Sequence, residues 1–429
     1  MVSTAAGAPA NSGAPSRSRT RTIGAAILGN AFEFYDFTVY ATFAVIIGKA
    51  FFPSNSASTT LLLSVATFGV GFIARPLGGV VIGAFADRYG RKPAMTLTIW
   101  LMALGSGMIG LLPTYEQIGL AAPLLLVLAR LIQGFSAGGE MGPAPSFLNE
   151  SAPPNRIAFF GSWQLSSQNM GVLAAALVGA LLAATLPEAD MNGWGWRIPF
   201  LVGILIAPVG IYIRSRLEET LEESEHESMS GVLSELFRNY WHLIVLALFV
   251  ISGMTISQYF FSYVTTYAIT TLQMSTTVGM LAGVAAGVSG VVFAVVGGLL
   301  ADRYGVKTVT IAARVVVTIL FYPALQLVLA YPSPGLFLGV IAVLSAFHAM
   351  SGAAGILLLP LSLPAGVRTA GLSIGYAVGV TIFGGTAQVI FTWLIQATGN
   401  PIAPIWYVVA ASVLSIVASA LLPLQRSTR

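Results

Sequence analysis

Cysteine is absent from the 429 residues, and only three histidines occur. Disulfides and thiolate metal sites are therefore excluded, and no spacing such as H-x-x-E-H offers a metal-assisted hydrolase. Charge is scarce as well. Lys, Arg, Asp and Glu make up 8% of the chain, against 56% hydrophobic residues and a mean hydropathy of +0.84. A soluble domain carries about 25% charged residues. A chain this poor in charge cannot cover itself with a water-facing surface, which implies lipid as its solvent. The chain also lacks a Walker loop, which disfavours ATP-driven transport.

What is present is long apolar runs. A hydrocarbon core about 30 Å thick needs roughly 20 helical residues per crossing. Twelve runs meet that need, at about 23–48, 58–85, 94–112, 120–147, 157–185, 197–213, 241–271, 277–300, 307–330, 335–361, 368–396 and 402–423. The expected fold is all-α, with twelve transmembrane helices. Residues 1–22 read as a disordered cytoplasmic tail and 214–240 as an acidic cytoplasmic linker. Residues 424–429 read as a second short tail. The linker carries Glu218, Glu219, Glu222, Glu223, Glu225, Glu227 and Glu235, spaced like the solvated face of an amphipathic helix.

Basic residues set the expected direction. Arg17, Arg19 and Arg21, then Arg88, Arg91 and Lys92, Arg156, Arg214, Arg216, Arg238, Arg303, Lys307, Arg368, Arg426 and Arg429 all fall on one side. The opposite loops carry Lys49 and Arg197. This is the positive-inside pattern, with both termini cytoplasmic. Trp194, Trp196, Tyr331, Trp406 and Tyr407 stand near span ends, where interfacial aromatics are expected.

One phrase occurs twice. Gly78-Gly79 and Gly83 lead into Ala86-Asp87-Arg88-Tyr89-Gly90-Arg91-Lys92, and Gly297-Gly298 lead into Ala301-Asp302-Arg303-Tyr304-Gly305-Val306-Lys307. The offset is 302 − 87 = 215, about half the chain. Internal repeats of this kind are built into many secondary transporters.

Charges inside apolar runs cost at least about 2.5–3.5 kcal/mol each on insertion scales, so each needs a partner or a task. They are Glu33 and Asp36 in span 1, Arg75 in span 2, Arg130 and Glu140 in span 4, and Arg314 in span 9, with His348 in span 10. Asn30, Glu33 and Asp36 share one helix stripe, and Glu33 and Asp36 lie about 15–20 Å into the membrane. Arg130 lies at a similar depth on span 4, followed on the same face by Gln133 and Glu140. Opposite charges at one depth can pair across an aqueous cavity, either as a structural ion pair or for proton and substrate work. An anionic substrate competing for Arg130 would release a carboxylate to take up a proton. Glu33, Asp36 and Glu140 are the candidate proton carriers. Asn30, Arg130, Gln133, Gln164, Gln168, Tyr259 and His348 are candidate substrate contacts. Gln164 and Gln168 share a face of span 5, suited either to substrate or to interhelical bonds. Tyr259, Tyr263 and Tyr267 line span 7 as packing, gate or ligand. The glycines at 78, 79, 83, 384 and 385 are expected to permit close helix approach.

These residues carry a family resemblance. The segment Gly83-x-x-x-Asp87-Arg88-x-Gly90-Arg91-Lys92 resembles the loop 2–3 signature of the major facilitator superfamily, and 301–307 looks like its weaker second copy. The segments at 29–37, Arg75-Pro76-x-Gly78-Gly79, 133–140 and Trp194-Gly195-Trp196-Arg197-Ile198-Pro199-Phe200 resemble its metabolite:proton symporter branch. Ser162-Trp163-Gln164-x-x-Ser167-Gln168 and Ile382-Phe383-Gly384-Gly385 look most like the citrate and tricarballylate carriers. The resemblance runs from about residue 25 to 423. It implies two six-helix bundles, at 23–213 and 241–423, with spans 1, 4, 7 and 10 around a central cavity. It also implies a cytoplasmic gate at Asp87, Arg88 and Arg91, with Arg75, Asp302 and Arg303 as further gating candidates. Pro143 and Pro145, just after Glu140, depart from the smoother span 4 of such carriers and suggest a kink.

The expected function is a proton-coupled symporter importing a small organic anion, a di- or tricarboxylate such as citrate. The alternatives in the same class are shikimate-like aromatic acids, 2-oxoglutarate or a betaine/proline zwitterion. A membrane enzyme lacks the side chains it would need, and a transport-fold sensor would be expected to add a soluble output domain. No cofactor and no metal are expected, the drive being the proton gradient. The expected partners are the anion, protons and the lipid bilayer of a bacterial inner membrane. Nucleic acid is not an expected partner, and the chain is expected to act as a monomer.

Overall fold

A computed structural model describes residues 16–139, 153, 155–215, 235, 238–364, 367, 371 and 375–424. Within them the chain is helical throughout its apolar runs. Span 1 is Ser16–Thr42 continued by Ala44–Phe51, and span 2 is Ala57–Ile73 with Arg75–Tyr89. Spans 3 to 6 are Arg91–Leu111, Ala121–Gly138, Ile157–Thr185 and Ile198–Ser215. Spans 7 to 9 are Trp241–Thr270, Thr276–Tyr304 and Val306–Ala330. Span 10 is Pro334–Gly355 with Leu358–Ser362, span 11 runs from Gly375 to Thr398, and span 12 is Ala403–Leu421. Ten of these are long and apolar enough to cross a membrane, and the bent pair of span 1 makes an eleventh. Span 6 is a further apolar helix of 18 residues, Ile198–Ser215.

Local sequence explains the ends. Ser56, Ser275 and Ser333 accept the amides of Thr59, Val278 and Leu336, each at 3.3 Å, and so start spans 2, 8 and 10. Gly90 and Gly305 end spans 2 and 8 with φ of 96° and 92°, a conformation glycine adopts at no steric cost. The two copies of the repeated phrase thus make the same turn. Span 1 is helical from Ser16 on among the described residues, inside the predicted tail. It bends by 61° around Phe43, where no proline or glycine marks the sequence. At the bend the Ala44 carbonyl accepts a hydrogen bond from Ser64 Oγ at 2.6 Å.

Two helix seams position the polar centre. Spans 2 and 4 meet through Gly71, Gly78, Gly134 and Gly138, each of which faces a backbone carbonyl of the other helix or its arginine. That contact draws Arg75 and Arg130 together. Spans 5 and 8 pack along their length, with Gly283, Gly287, Gly290 and Gly298 against Ala176, Leu173, Asn169 and Ser162. Span 2 also meets span 11, where Gly69 lies against Gly385 and Gln396 Nε2 donates to Ser58 O at 2.9 Å. Span 11 carries a π-helical turn at Val380–Gly384. At Gly83, among the described residues, nothing lies within 4 Å of where a Cβ would stand. Trp196 differs from expectation. It is fully buried between Phe51 and Phe200 instead of sitting at an interface, and Arg197 covers its face while donating to Gly110 O and Leu112 O at the end of span 3. The predicted kink at Pro143 and Pro145 and the acidic stretch 216–234 lie outside the described residues.

Candidate functional site

Arg130 is the centre of the arrangement. Its guanidinium is fully buried and sits over the rings of Phe37, Tyr40 and Phe68, at 4.6, 4.6 and 5.1 Å from their centroids. Arg75, 6% exposed, covers Phe37 and Phe72 at 4.5 and 4.2 Å. Phe37 is therefore shared by two cations, each stacked on aromatic quadrupoles. Neither guanidinium is saturated, since the Nε of Arg75 and the Nε of Arg130 have no hydrogen-bond partner.

Arg130 does not touch Asp36 directly. It donates through Nη1 to Gln133 Oε1 at 2.8 Å and through Nη2 to Phe68 O at 3.1 Å. Gln133 Nε2 donates to Ser106 Oγ at 2.9 Å, and Ser106 Oγ donates to Asp36 Oδ1 at 2.8 Å. The expected pairing of acid and base is thus a four-member hydrogen-bonded chain through spans 4, 3 and 1. The physical reason is spacing: Gln133 is one helical turn beyond Arg130 and fills the gap to span 3. Span 6 approaches so closely at Gly203 that any Cβ there would collide with Asp36 Oδ1.

Across the bundle interface, Tyr259 of span 7 packs on Phe68 and Phe72 at 5.9 and 5.3 Å and shares a hydrogen bond with Arg75. Tyr376 of span 11 shares one with Gln168 of span 5. Asn30 Nδ2 donates to Ser167 Oγ at 2.6 Å and to Gln164 O at 3.1 Å, tying span 1 to span 5. Gln164 Oε1 has no partner, and neither side-chain polar atom of Gln388 has one. Asn30, Gln133, Gln164, Gln168, Arg130, Arg75 and Tyr259 therefore belong to one connected region, built from both halves. Tyr263 and Tyr267 are packing residues, bonded to Thr392 and to Pro401 O.

His348 lies elsewhere. It faces Gln258 Oε1 through Nε2 at 3.0 Å and Arg314 Nη1 through Nδ1 at 3.5 Å, and it packs on Phe261. Arg314 also donates to Ser351 Oγ at 3.1 Å and to Gly253 O at 3.1 Å. Glu33 lines a cleft with Asp36, described below. Glu140 lies outside the described residues.

At the ends bearing the repeated phrase, Asp302 accepts hydrogen bonds from Ala158 N at 2.8 Å and Phe159 N at 2.9 Å. Its carboxylate therefore caps the first turn of span 5, where helix dipole and unpaired amides favour an anion. Arg88 and Arg303 are exposed and cover Tyr89 and Tyr304. The side chains of Asp87 and Arg91 are outside the described set. Sequence reasoning missed Ser106, Gly203, Tyr376 and Gln388. A polar residue in an apolar run marks Ser106 and Gln388, but small hydroxyls and amides are common in spans, so the signal is faint.

Apolar membrane-length helices in this arrangement, around buried arginines and the Asp36 carboxyl, are those of a secondary transporter of the major facilitator superfamily. A family model described as sugar (and other) transporter matches residues 22–236. The chain belongs to that family, and it is a transporter and not an enzyme. It is 37% identical to a citrate-proton symporter of Klebsiella pneumoniae over 395 residues, 91% of this chain and 89% of that one. It is 35% identical to a citrate-proton symporter of Salmonella typhi, over 95% of each chain. A glycine betaine/proline/ectoine/pipecolic acid transporter of Dickeya dadantii is 32% identical over 92% of this chain and 81% of its own. A crystal structure of a D-xylose-proton symporter superposes with a TM-score of 0.79 over 95% of this chain and 98% of that one, at 19% identity.

Proposed function

We propose that the chain imports a small di- or tricarboxylate, with citrate as the leading case, together with protons by alternating access in a bacterial inner membrane. Both termini are cytoplasmic in this reading, which the distribution of basic residues supports. The two halves, 23–213 and 241–423, act as the moving bundles. A single chain supplies every group invoked, so a monomer suffices and no cofactor is required.

The observation that carries the reading is the hydrogen-bonded chain from Arg130 through Gln133 and Ser106 to Asp36. A carboxylate arriving at Arg130 competes for Nη1, frees Gln133, and so loosens the hydrogen bond that Ser106 gives to Asp36. Losing that bond favours the protonated acid. Anion and proton therefore load together, and the pair reorients with less net charge. The unpartnered atoms of Arg75, Arg130, Gln164 and Gln388 supply the donors and acceptors a polycarboxylate needs. Each such atom costs about 1–3 kcal/mol if left unsatisfied, which a bound substrate recovers.

The zwitterion alternative is disfavoured by the aromatic faces. Phe37, Tyr40, Phe68 and Phe72 could cage a quaternary ammonium, but Arg75 and Arg130 already occupy them and repel a second cation. Asp302 on the first turn of span 5 is the proposed inner latch, released when the bundles part on that side.

The test is uptake into proteoliposomes under an imposed pH gradient, with citrate, tricarballylate, 2-oxoglutarate, shikimate and betaine in competition. Citrate-type anions should accumulate and betaine should not compete. Arg130→Ala should abolish citrate uptake with normal membrane insertion; retained high-affinity uptake would refute its role.

A further inference from the structure

The Asp36 carboxyl has a second side. It borders a cleft of about 40 Å³, lined by Gly29, Phe32 and Glu33 of span 1, Ile99, Met102 and Ala103 of span 3, Ser136 of span 4, and Gly203, Ala207 and Gly210 of span 6. Every lining residue comes from spans 1, 3, 4 and 6. Among the described residues none comes from spans 7 to 12, so the cleft opens within the amino-terminal bundle, with Glu33 lying between it and Tyr376 of span 11.

Helix directions give its course. Asp36 and Gly203 are at one level, because a Cβ on Gly203 would meet Asp36 Oδ1. Gly210, Ile99 and Phe32 are at another, because a Cβ on Gly210 would lie 3.4 Å from Ile99 and 4.0 Å from Phe32. Seven residues separate Gly203 from Gly210, which is about 10 Å of helix. On span 1, Gly29 is displaced from Asp36 by the same amount toward the amino end. The cleft therefore runs about 10 Å from Asp36 toward the face that carries the amino terminus. Glycines at 29, 203 and 210 keep it unfilled. Glu33, Asp36 and Ser136 give it polar atoms for a few waters, each of which needs about 10–15 Å³ of such space.

We propose that this cleft is a water-filled proton channel of the amino-terminal bundle, through which Asp36 exchanges its proton with the cytoplasm without passing through the substrate passage. The site takes water and hydronium, and Glu33 stands along it as an intermediate acceptor. The ionisable groups facing it among the described residues are Glu33 and Asp36 of span 1. Span 4 reaches Asp36 only through Ser106 and Gln133, and the lining from spans 3 and 6 is neutral. The inference rests on the symport reading above. It adds that substrate release and proton release follow different routes, so the proton can leave while the substrate region is still closed.

The natural chain has no cysteine, so a single thiol can be introduced and followed alone. Ala207→Cys in the full-length protein should be labelled by a water-soluble methanethiosulfonate reagent added from the cytoplasmic side, read as a mass shift. Saturating citrate should not protect it. Ala207→Leu should plug the cleft: net uptake driven by a pH gradient should fall about tenfold or more, while citrate–citrate exchange at equal pH stays within about twofold. Failure of Ala207→Cys to label, protection by citrate, or full gradient-driven uptake by Ala207→Leu overturns the channel. Absence of citrate exchange in the unmodified protein would instead refute the proposed function, and the labelling result still decides whether water reaches the cleft.

Discussion

Each half of the molecule buries an arginine in a polar cluster, yet the two clusters are built for different tasks. In the first half Arg130 stacks on aromatic rings, leaves Nε unpaired and connects through Gln133 and Ser106 to the acid Asp36. In the second half Arg314 is held by neutral groups, the Ser351 hydroxyl, the Gly253 carbonyl of span 7, Ser257 and His348, and its Nη2 too is left unpartnered. The Ser351 hydroxyl in turn donates to Thr310 O, and Ser257 to Gly253 O. Arg314 therefore ties together spans 7, 9 and 10. On the proposed function, proton chemistry is confined to the first copy, while the arginine of the second joins three helices.

Three substitutions test that contrast. Asp36→Asn should have the largest effect. Gradient-driven accumulation should fall about a hundredfold or more, while citrate exchange persists, because the amide imitates the protonated acid. Concentrative uptake by this variant would move proton handling out of the first half. Ser106→Ala should come next. It removes a hydrogen bond to a charged group, worth about 1.5–3 kcal/mol, and so should cost about tenfold in accumulation with a shifted pH profile. An unchanged pH profile would break the proposed link between Arg130 and Asp36. Arg314→Met should alter transport least. Thermal unfolding in detergent should show a loss of about 2–4 kcal/mol from the charge-assisted hydrogen bonds of Arg314 to the Gly253 carbonyl and Ser351, with uptake per folded molecule nearly unchanged. Loss of coupling comparable to that of Asp36→Asn would erase the asymmetry.

The fold was largely legible because its cause is local. Runs such as 241–271 and 277–300 have no alternative to helix in lipid, where every backbone group must be satisfied within the segment. The site was legible only in part. Depth on a helix placed Asp36 and Arg130 at one level, and they do share one network. It could not reveal that Ser106 stands between them, since a serine in an apolar run looks the same whether it bonds its own backbone or a neighbour. A titratable group in span 10 suggested substrate contact, and the neighbours of His348 are Arg314, Gln258 and Phe261 of the second half. The bend at Phe43 was illegible because it depends on Ser64, a residue of the next helix.

The long glycine-lined contact of spans 5 and 8 has a mechanical consequence. Two rods that touch along one smooth line can roll over each other without separating, and displacement then grows with distance from that line. Spans 3 and 6, which make no extensive contact with the second half, would travel furthest. They carry exposed Trp100, Leu104 and Leu205 on their flanks. Every turnover would drag those side chains through the acyl chains, so the stiffness of the surrounding bilayer sets a frictional limit on how fast this carrier can work.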